Sequence, residues 1–61
     1  MKRITFYLED NDATRVRIKR IRKCVKSAIV QTENIEMNYL AITITYEPKD
    51  EVTIKSIISN L

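Results

Sequence analysis

The chain contains no glycine and no histidine, and only one cysteine and one proline among its 61 residues. Without glycine there is no phosphate-cradling Gly loop, and a two-residue type I′ hairpin, which needs positive φ, is awkward to build. Without histidine the chain lacks the commonest general base and the commonest metal ligand. Cys24 has no second thiol in the chain to pair with, so no disulfide braces the monomer. An unpaired thiol suits a reducing compartment, and a cytoplasmic location is expected. No apolar run approaches the ~20 residues of a membrane span. Residues 4–8 follow Lys2 and Arg3 but are too short for the apolar stretch of a secretion signal. No set of side chains suggests catalysis, so a non-enzymatic role without a cofactor is expected.

What the chain does have is concentrated positive charge. Seven of its 11 basic residues lie within residues 15–26: Arg15, Arg17, Lys19, Arg20, Arg22, Lys23 and Lys26. No acid interrupts them. This segment carries +7 and the remainder −4, within a net charge of +3. Such a field favours an acidic partner whatever the fold. The length allows a single domain, 1–61, whose folding buries only about 60% of its unfolded surface.

Periodicity gives the elements. Ile4, Phe6 and Leu8 alternate with Thr5 and Tyr7, as in a half-buried strand. The run Glu9-Asp10-Asn11-Asp12 breaks it, with Asp12 as the expected N-cap. Residues 13–30 then read as a helix. Its apolar stripe is Thr14, Ile18, Ile21, Val25, Ala28 and Ile29, within about 100° of arc. Arg15, Lys19, Arg22, Lys23 and Lys26 form a basic stripe beside it, with Cys24 at the border. Residues 31–34 read as a polar break. Ile35, Met37 and Tyr39 alternate in a second strand, and Ile42, Ile44 and Tyr46 in a β-branched third. The join at Leu40-Ala41 carries no turn-forming residue, so a tight hairpin and one long bent strand both fit. Pro48 ends the third strand. Thr53 then caps a last helix with Ile54, Ile57, Ile58 and Leu61 at i, i+3, i+4 and i+7. The order β-α-β-β-α predicts an α+β layer structure. Met37, Tyr39 and Tyr46 are expected to pack in the core.

The stretches Ile35-Glu36-Met37-Asn38, Ile42-Thr43-Ile44-Thr45-Tyr46-Glu47-Pro48, Val52-Thr53-Ile54 and Ile57-Ile58 resemble the heavy-metal-associated domain family. These are the small copper and heavy-metal chaperones and the soluble modules of metal-transport ATPases. The likeness covers the C-terminal half; the N-terminal half agrees in order and period only. It implies a ferredoxin-like fold, β-α-β-β-α-β, with helices on one face of an antiparallel sheet. Here that fold is read as truncated to β-α-β-β-α, because the sequence stops at Leu61 where the family continues into a fourth strand. That strand would lie beside the first. Its absence leaves the strand of Ile4, Phe6 and Leu8 at an open edge, available to a second copy.

The family's metal loop carries Cys-x-x-Cys. Here the matching region is Glu9-Asp10-Asn11-Asp12-Ala13-Thr14, and carboxylates do not replace thiolates for Cu(I). No metal site is expected. Cys24 is the one weak candidate, and a lone thiol beside an apolar stripe more often packs as a small hydrophobe. The acidic loop also lacks the spacing of a Ca²⁺ loop. The resemblance further implies docking onto an acidic protein surface through the loop and the adjoining helix. That places Arg15, Lys19, Arg22, Lys23 and Lys26 on the contact face. Three alternatives stand beside it. The same stripe suits a nucleic-acid-binding module. The opening Lys2-Arg3-Ile4-Thr5-Phe6-Tyr7-Leu8 also resembles the first strand of ribbon-helix-helix DNA-binding dimers. Residual soft-metal binding through Cys24 in a dimer is the third.

Overall fold

The computed structural model describes residues 1–59, so Leu61 of the last predicted helix stripe lies outside the described residues. The elements are β1 (Lys2–Glu9), α1 (Asp12–Cys24), β2 (Ile29–Glu36), β3 (Tyr39–Tyr46), a 3-10 turn (Pro48–Asp50) and α2 (Glu51–Ser59). The three strands form one antiparallel sheet in the order β1-β3-β2. β1 and β2 thus run parallel on either side of β3, joined by α1. This is an α+β structure. A second helix where the ribbon-helix-helix alternative needs one is absent among the described residues, because β-branched Ile42, Thr43, Ile44 and Thr45 form the central strand.

The core follows from one parity. Leu40, Ile42, Ile44 and Tyr46 of β3 are buried, and the residues between them are only half-buried. Against this row pack Ile18, Ile21 and Val25 from the first helix and its cap, and Ile54 and Ile57 from α2. Both helices therefore cover the same face of the sheet. Ile21, Ile42, Ile44 and Ile54 are fully buried, each side chain contributing about 1.5–3 kcal/mol by leaving water. The opposite face is open, bearing Thr5 and Tyr7 of β1 and Thr43 of β3. The Thr5 and Thr43 hydroxyls hydrogen-bond across the strands at 3.2 Å.

The helix boundaries differ from the periodic reading at both ends. Asn11, not Asp12, is the N-cap of α1; its carboxamide oxygen accepts from the Thr14 backbone N–H at 2.9 Å. Asp12 sits inside the first turn, where a carboxylate complements the helix N-terminus. α1 ends at Cys24, with Val25 as the C-cap donating its N–H to the Ile21 carbonyl. Ile29 begins β2 and is exposed. Adjacent β-branched Ile29 and Val30 prefer extended backbone, which outweighs the continued helical spacing. Thr53 does not cap α2 but lies within it; Pro48 opens the 3-10 turn that leads into the helix.

The larger correction concerns β2. Residues 31–34 are not a break but part of that strand, and the hairpin turns at Met37-Asn38 rather than Leu40-Ala41. Met37 takes φ 30°, the left-handed conformation that glycine would accept without cost. A bulge between Asn34 and Glu36 shifts the register by one. Ile35 at the bulge, Met37 in the turn and Tyr39 on the outward parity of β3 are all exposed, Met37 almost completely at 99%. Tyr46 alone of these aromatic and thioether side chains is in the core. Its hydroxyl donates to Glu51 Oε1 at 2.9 Å, and the same carboxylate oxygen receives Lys2 Nζ at 3.2 Å. Burial first, then the Glu51 contact, raises the Tyr46 pKa above 10.0. The Tyr46 hydroxyl and Lys2 hold the Glu51 carboxyl below its usual range.

Candidate binding face on the first helix

α1 places its cations by simple helical geometry. With Thr14, Ile18 and Ile21 buried against the sheet, residues roughly opposite them face water. Lys19, Arg20 and Lys23 stand on that crest, with Val16 exposed among them. Arg15, Lys19 and Arg22 line the flank toward the β2–β3 hairpin. There they border a groove of about 330 Å³, completed by Asp10, Thr32, Ile18 and Leu40. The floor side chains Ile18 and Leu40 are apolar and the rim is basic. A larger hollow, about 540 Å³, lies against Gln31, Thr32, Glu33, Ala41 and Thr43. Its lining carries one carboxylate and no cation, so an acidic partner is better served by the smaller groove.

The structure brings Arg15, Lys19, Arg22 and Lys23 together on one helix and separates Lys26 from them. Lys26 lies in the turn between α1 and β2, because the helix stops at Cys24. Cys24 is exposed rather than packed in the core. Cys24 lies one residue, about 100° on the helix wheel, from buried Val25 and so turns off the core face. Among the described residues no group of three or more Cys, Asp or Glu side chains is placed to hold a metal ion.

The pairing of charges separates the cluster from the rest of the chain. Outside it, Lys2, Lys49 and Lys55 each reach a carboxylate, and Arg3 alone forms no salt bridge among the described residues. Inside it, only Arg15 reaches a carboxylate, bridging Asp10 at 2.9 Å and Asp12 at 3.5 Å. Arg17, Lys19, Arg20, Arg22, Lys23 and Lys26 form no salt bridge among the described residues. Arg22 instead donates to the Val30 carbonyl of β2 at 3.3 Å. Like charges spaced three and four apart on a helix repel, so the cluster is not arranged for the stability of the helix itself.

Sequence reasoning missed a second feature. Tyr39 joins Tyr7 on the open sheet face: it lies opposite Glu9, and Tyr7 lies opposite Ala41. The two rings are diagonal neighbours, and both are at least half exposed. The signal available was the Met37-Asn38 turn, since a two-residue turn there fixes Tyr39 on the face opposite Leu40. Glu9, Glu33 and Glu36 surround this end of the sheet and form no salt bridge among the described residues.

No family model, curated protein or solved structure matches this chain.

Proposed function

We propose that this chain is a non-enzymatic binding domain that docks an acidic protein surface through α1. The observation that supports this most directly is the contrast in charge pairing: the cations outside the cluster are mostly neutralised within the fold, and those on α1 are mostly not. Lys19, Arg20, Lys23 and Lys26 are exposed and form no salt bridge among the described residues, whereas a partner carboxylate must compete with Asp10 and Asp12 for Arg15. The groove adds a reason to favour protein over nucleic acid. Its apolar floor, Ile18 and Leu40, beneath Arg15, Lys19 and Arg22 suits an apolar side chain flanked by acids. The exposed Val16 on the crest fits the same kind of partner. Carboxylates around Tyr7 and Tyr39 oppose a phosphate backbone laid across the open sheet, where single-stranded nucleic acid stacks in other sheet proteins.

The order β1-β3-β2 with both helices on one face agrees with the ferredoxin-like arrangement expected from the resemblance to heavy-metal-associated domains. On that reading the chain keeps the family's docking helix and lacks its metal site. Arg15, Lys19, Arg22 and Lys23 are the contact residues, with Lys26 at the rim.

The test compares three probes: a short Glu-rich peptide carrying one Leu, the same peptide with Ala for Leu, and a generic DNA duplex. The reading expects the Leu peptide to bind best. Replacing Lys19, Arg22 and Lys23 by Gln should abolish its binding. Tighter duplex binding, falling steeply with salt through counterion release, would transfer the face to nucleic acid.

A further inference from the structure

The sheet has two outer edges among the described residues, and they are not equivalent. β2 is guarded. It is bulged between Asn34 and Glu36, and Arg22 occupies the Val30 carbonyl. Bulges and occupied groups are among the devices that keep an edge from pairing. β1 has neither. Its register with β3 runs without a shift from Lys2 opposite Tyr46 to Glu9 opposite Tyr39.

The backbone direction of β1 can be read from one bond. The Asp10 N–H donates to the Asn38 carbonyl, a pair that continues the β1–β3 register by one step. Hydrogen-bonded pairs alternate along an antiparallel ladder. The even-numbered residues of β1 therefore bond to β3, and the N–H and C=O groups of Arg3, Thr5, Tyr7 and Glu9 point to the open edge. Burial shows the same incompleteness. Ile4, Phe6 and Leu8 pack against the core yet stay half-buried, whereas their β3 partners Ile44, Ile42 and Leu40 are buried.

We propose that two copies of this chain pair antiparallel along β1, about a two-fold axis at Phe6. Residues directly opposite in a sheet share a face, so the symmetric registers nearest the strand centre are those about Thr5 and about Phe6. The register about Phe6 sets Ile4 against Leu8 of the second copy and Phe6 against its equivalent, closing the half-buried row. It uses every outward group: Thr5 bonds with Tyr7 of the second copy and Arg3 with Glu9. It also opposes the side chains of Arg3 and Glu9, neither of which forms a salt bridge among the described residues. The register about Thr5 sets Arg3 against Tyr7 and leaves Glu9 beside Met1. α1 lies over β2, and α2 is tied to β1 through Lys2 and Glu51. The dimer thus carries its two basic helices on the far sides, both accessible. A bivalent partner would gain avidity from the pair. The inference rests on β1 alone and stands whether or not α1 binds an acidic protein.

Sedimentation equilibrium over a range of concentrations tests it, with circular dichroism to verify folding. The wild type is expected to dimerise. Arg3→Glu should weaken the dimer by about tenfold or more, since symmetry repeats each lost pair. Adding Glu9→Arg to Arg3→Glu should restore it, a rescue that depends on this register. Tyr7→Pro removes an outward N–H while leaving the β3 ladder intact and should give monomer. A wild type that is monomeric at every concentration would overturn the proposal. So would a dimer indifferent to both Arg3→Glu and Tyr7→Pro. Should Tyr7→Pro fail to fold, the charge reversal and its rescue decide the matter.

Discussion

Replacing Lys19 and Lys23 together by Gln should leave the fold as stable as before or slightly more so. Both side chains are exposed and form no salt bridge among the described residues. On α1, Lys19 neighbours Arg15 and Lys23 at four residues and Arg22 at three; Lys23 also neighbours Arg20 at three. Each such like-charge pair costs about 0.2–0.5 kcal/mol, so removing them returns roughly 0.8–2 kcal/mol at low salt. Against this, Lys23 sits in the last turn, where a cation gains about 0.3–1 kcal/mol from the helix dipole. Gln and Lys have similar helix propensities, so the backbone contributes little. The net runs from about zero to a gain of about 1.7 kcal/mol, which in a domain this small raises the melting temperature by at most about 7–14 °C. Screening should reduce it near about 0.15 M salt, where the Debye length is about 8 Å. Urea unfolding followed by circular dichroism, at low and high salt, measures both. A loss of about 1 kcal/mol or more, well outside the range usual for surface substitutions, would refute the reasoning. It would mean that the cations hold the fold together, and the case for α1 as an unsatisfied surface would lose its basis.

Other outcomes follow from the same structure. Ile21→Ala should cost about 2–5 kcal/mol, comparable to the whole stability expected at this length, about 3–9 kcal/mol; a urea midpoint close to wild type would contradict the assigned core. Met37→Asn should raise stability by about 0.5–1 kcal/mol, because Asn tolerates the left-handed turn that Met37 adopts. An unchanged or lower midpoint would place the hairpin turn elsewhere. Glu51 has a lowered pKa in the folded state, so its contribution is present above the unfolded value near 4.5 and fades as pH falls through the folded one. Tyr46 has a raised pKa; its contribution is present below 10.0 and is lost as pH rises through the folded value. Glu51→Gln should flatten the acid limb of the stability profile, and an unaltered limb would discount the Tyr46–Glu51–Lys2 contact. Cys24, being exposed, should be alkylated in the native state as fast as in urea, and the reduced monomer should hold no stoichiometric Cu(I) against a competing chelator.

Legibility in the sequence followed how strongly each element is buried. β3 was readable because a central strand must alternate strictly, and Ile42, Ile44 and Tyr46 do. β1 was readable for the same reason on one side. The start of α1 was found to within one residue, since Asn11 and Asp12 are both good caps and only geometry chooses between them. Its end was misplaced because Val25 is buried as a cap just as it would be in a helix, so the apolar spacing gives no warning of the stop. β2 was misread because an edge strand needs little apolar surface: Val30 is its one partly buried apolar side chain in the core. Ile35 at the bulge, Met37 in the turn and Tyr39 on the outward parity of β3 then imitate an inward row by their spacing of two. The basic residues of the candidate site were visible from composition alone. Their division between groove flank, crest and the turn at Lys26 required the helix end, and the open-face tyrosines required the hairpin position.

Amide chemical-shift mapping of the labelled chain, titrated with the Glu-rich Leu peptide, tests the central claim most directly. Binding through α1 predicts perturbations from Arg15 to Lys23 and at Leu40 across the groove, saturating together, with the open sheet face around Thr43 and Thr45 unmoved. Perturbations centred on the sheet face, or scattered over the surface without saturation, would contradict it.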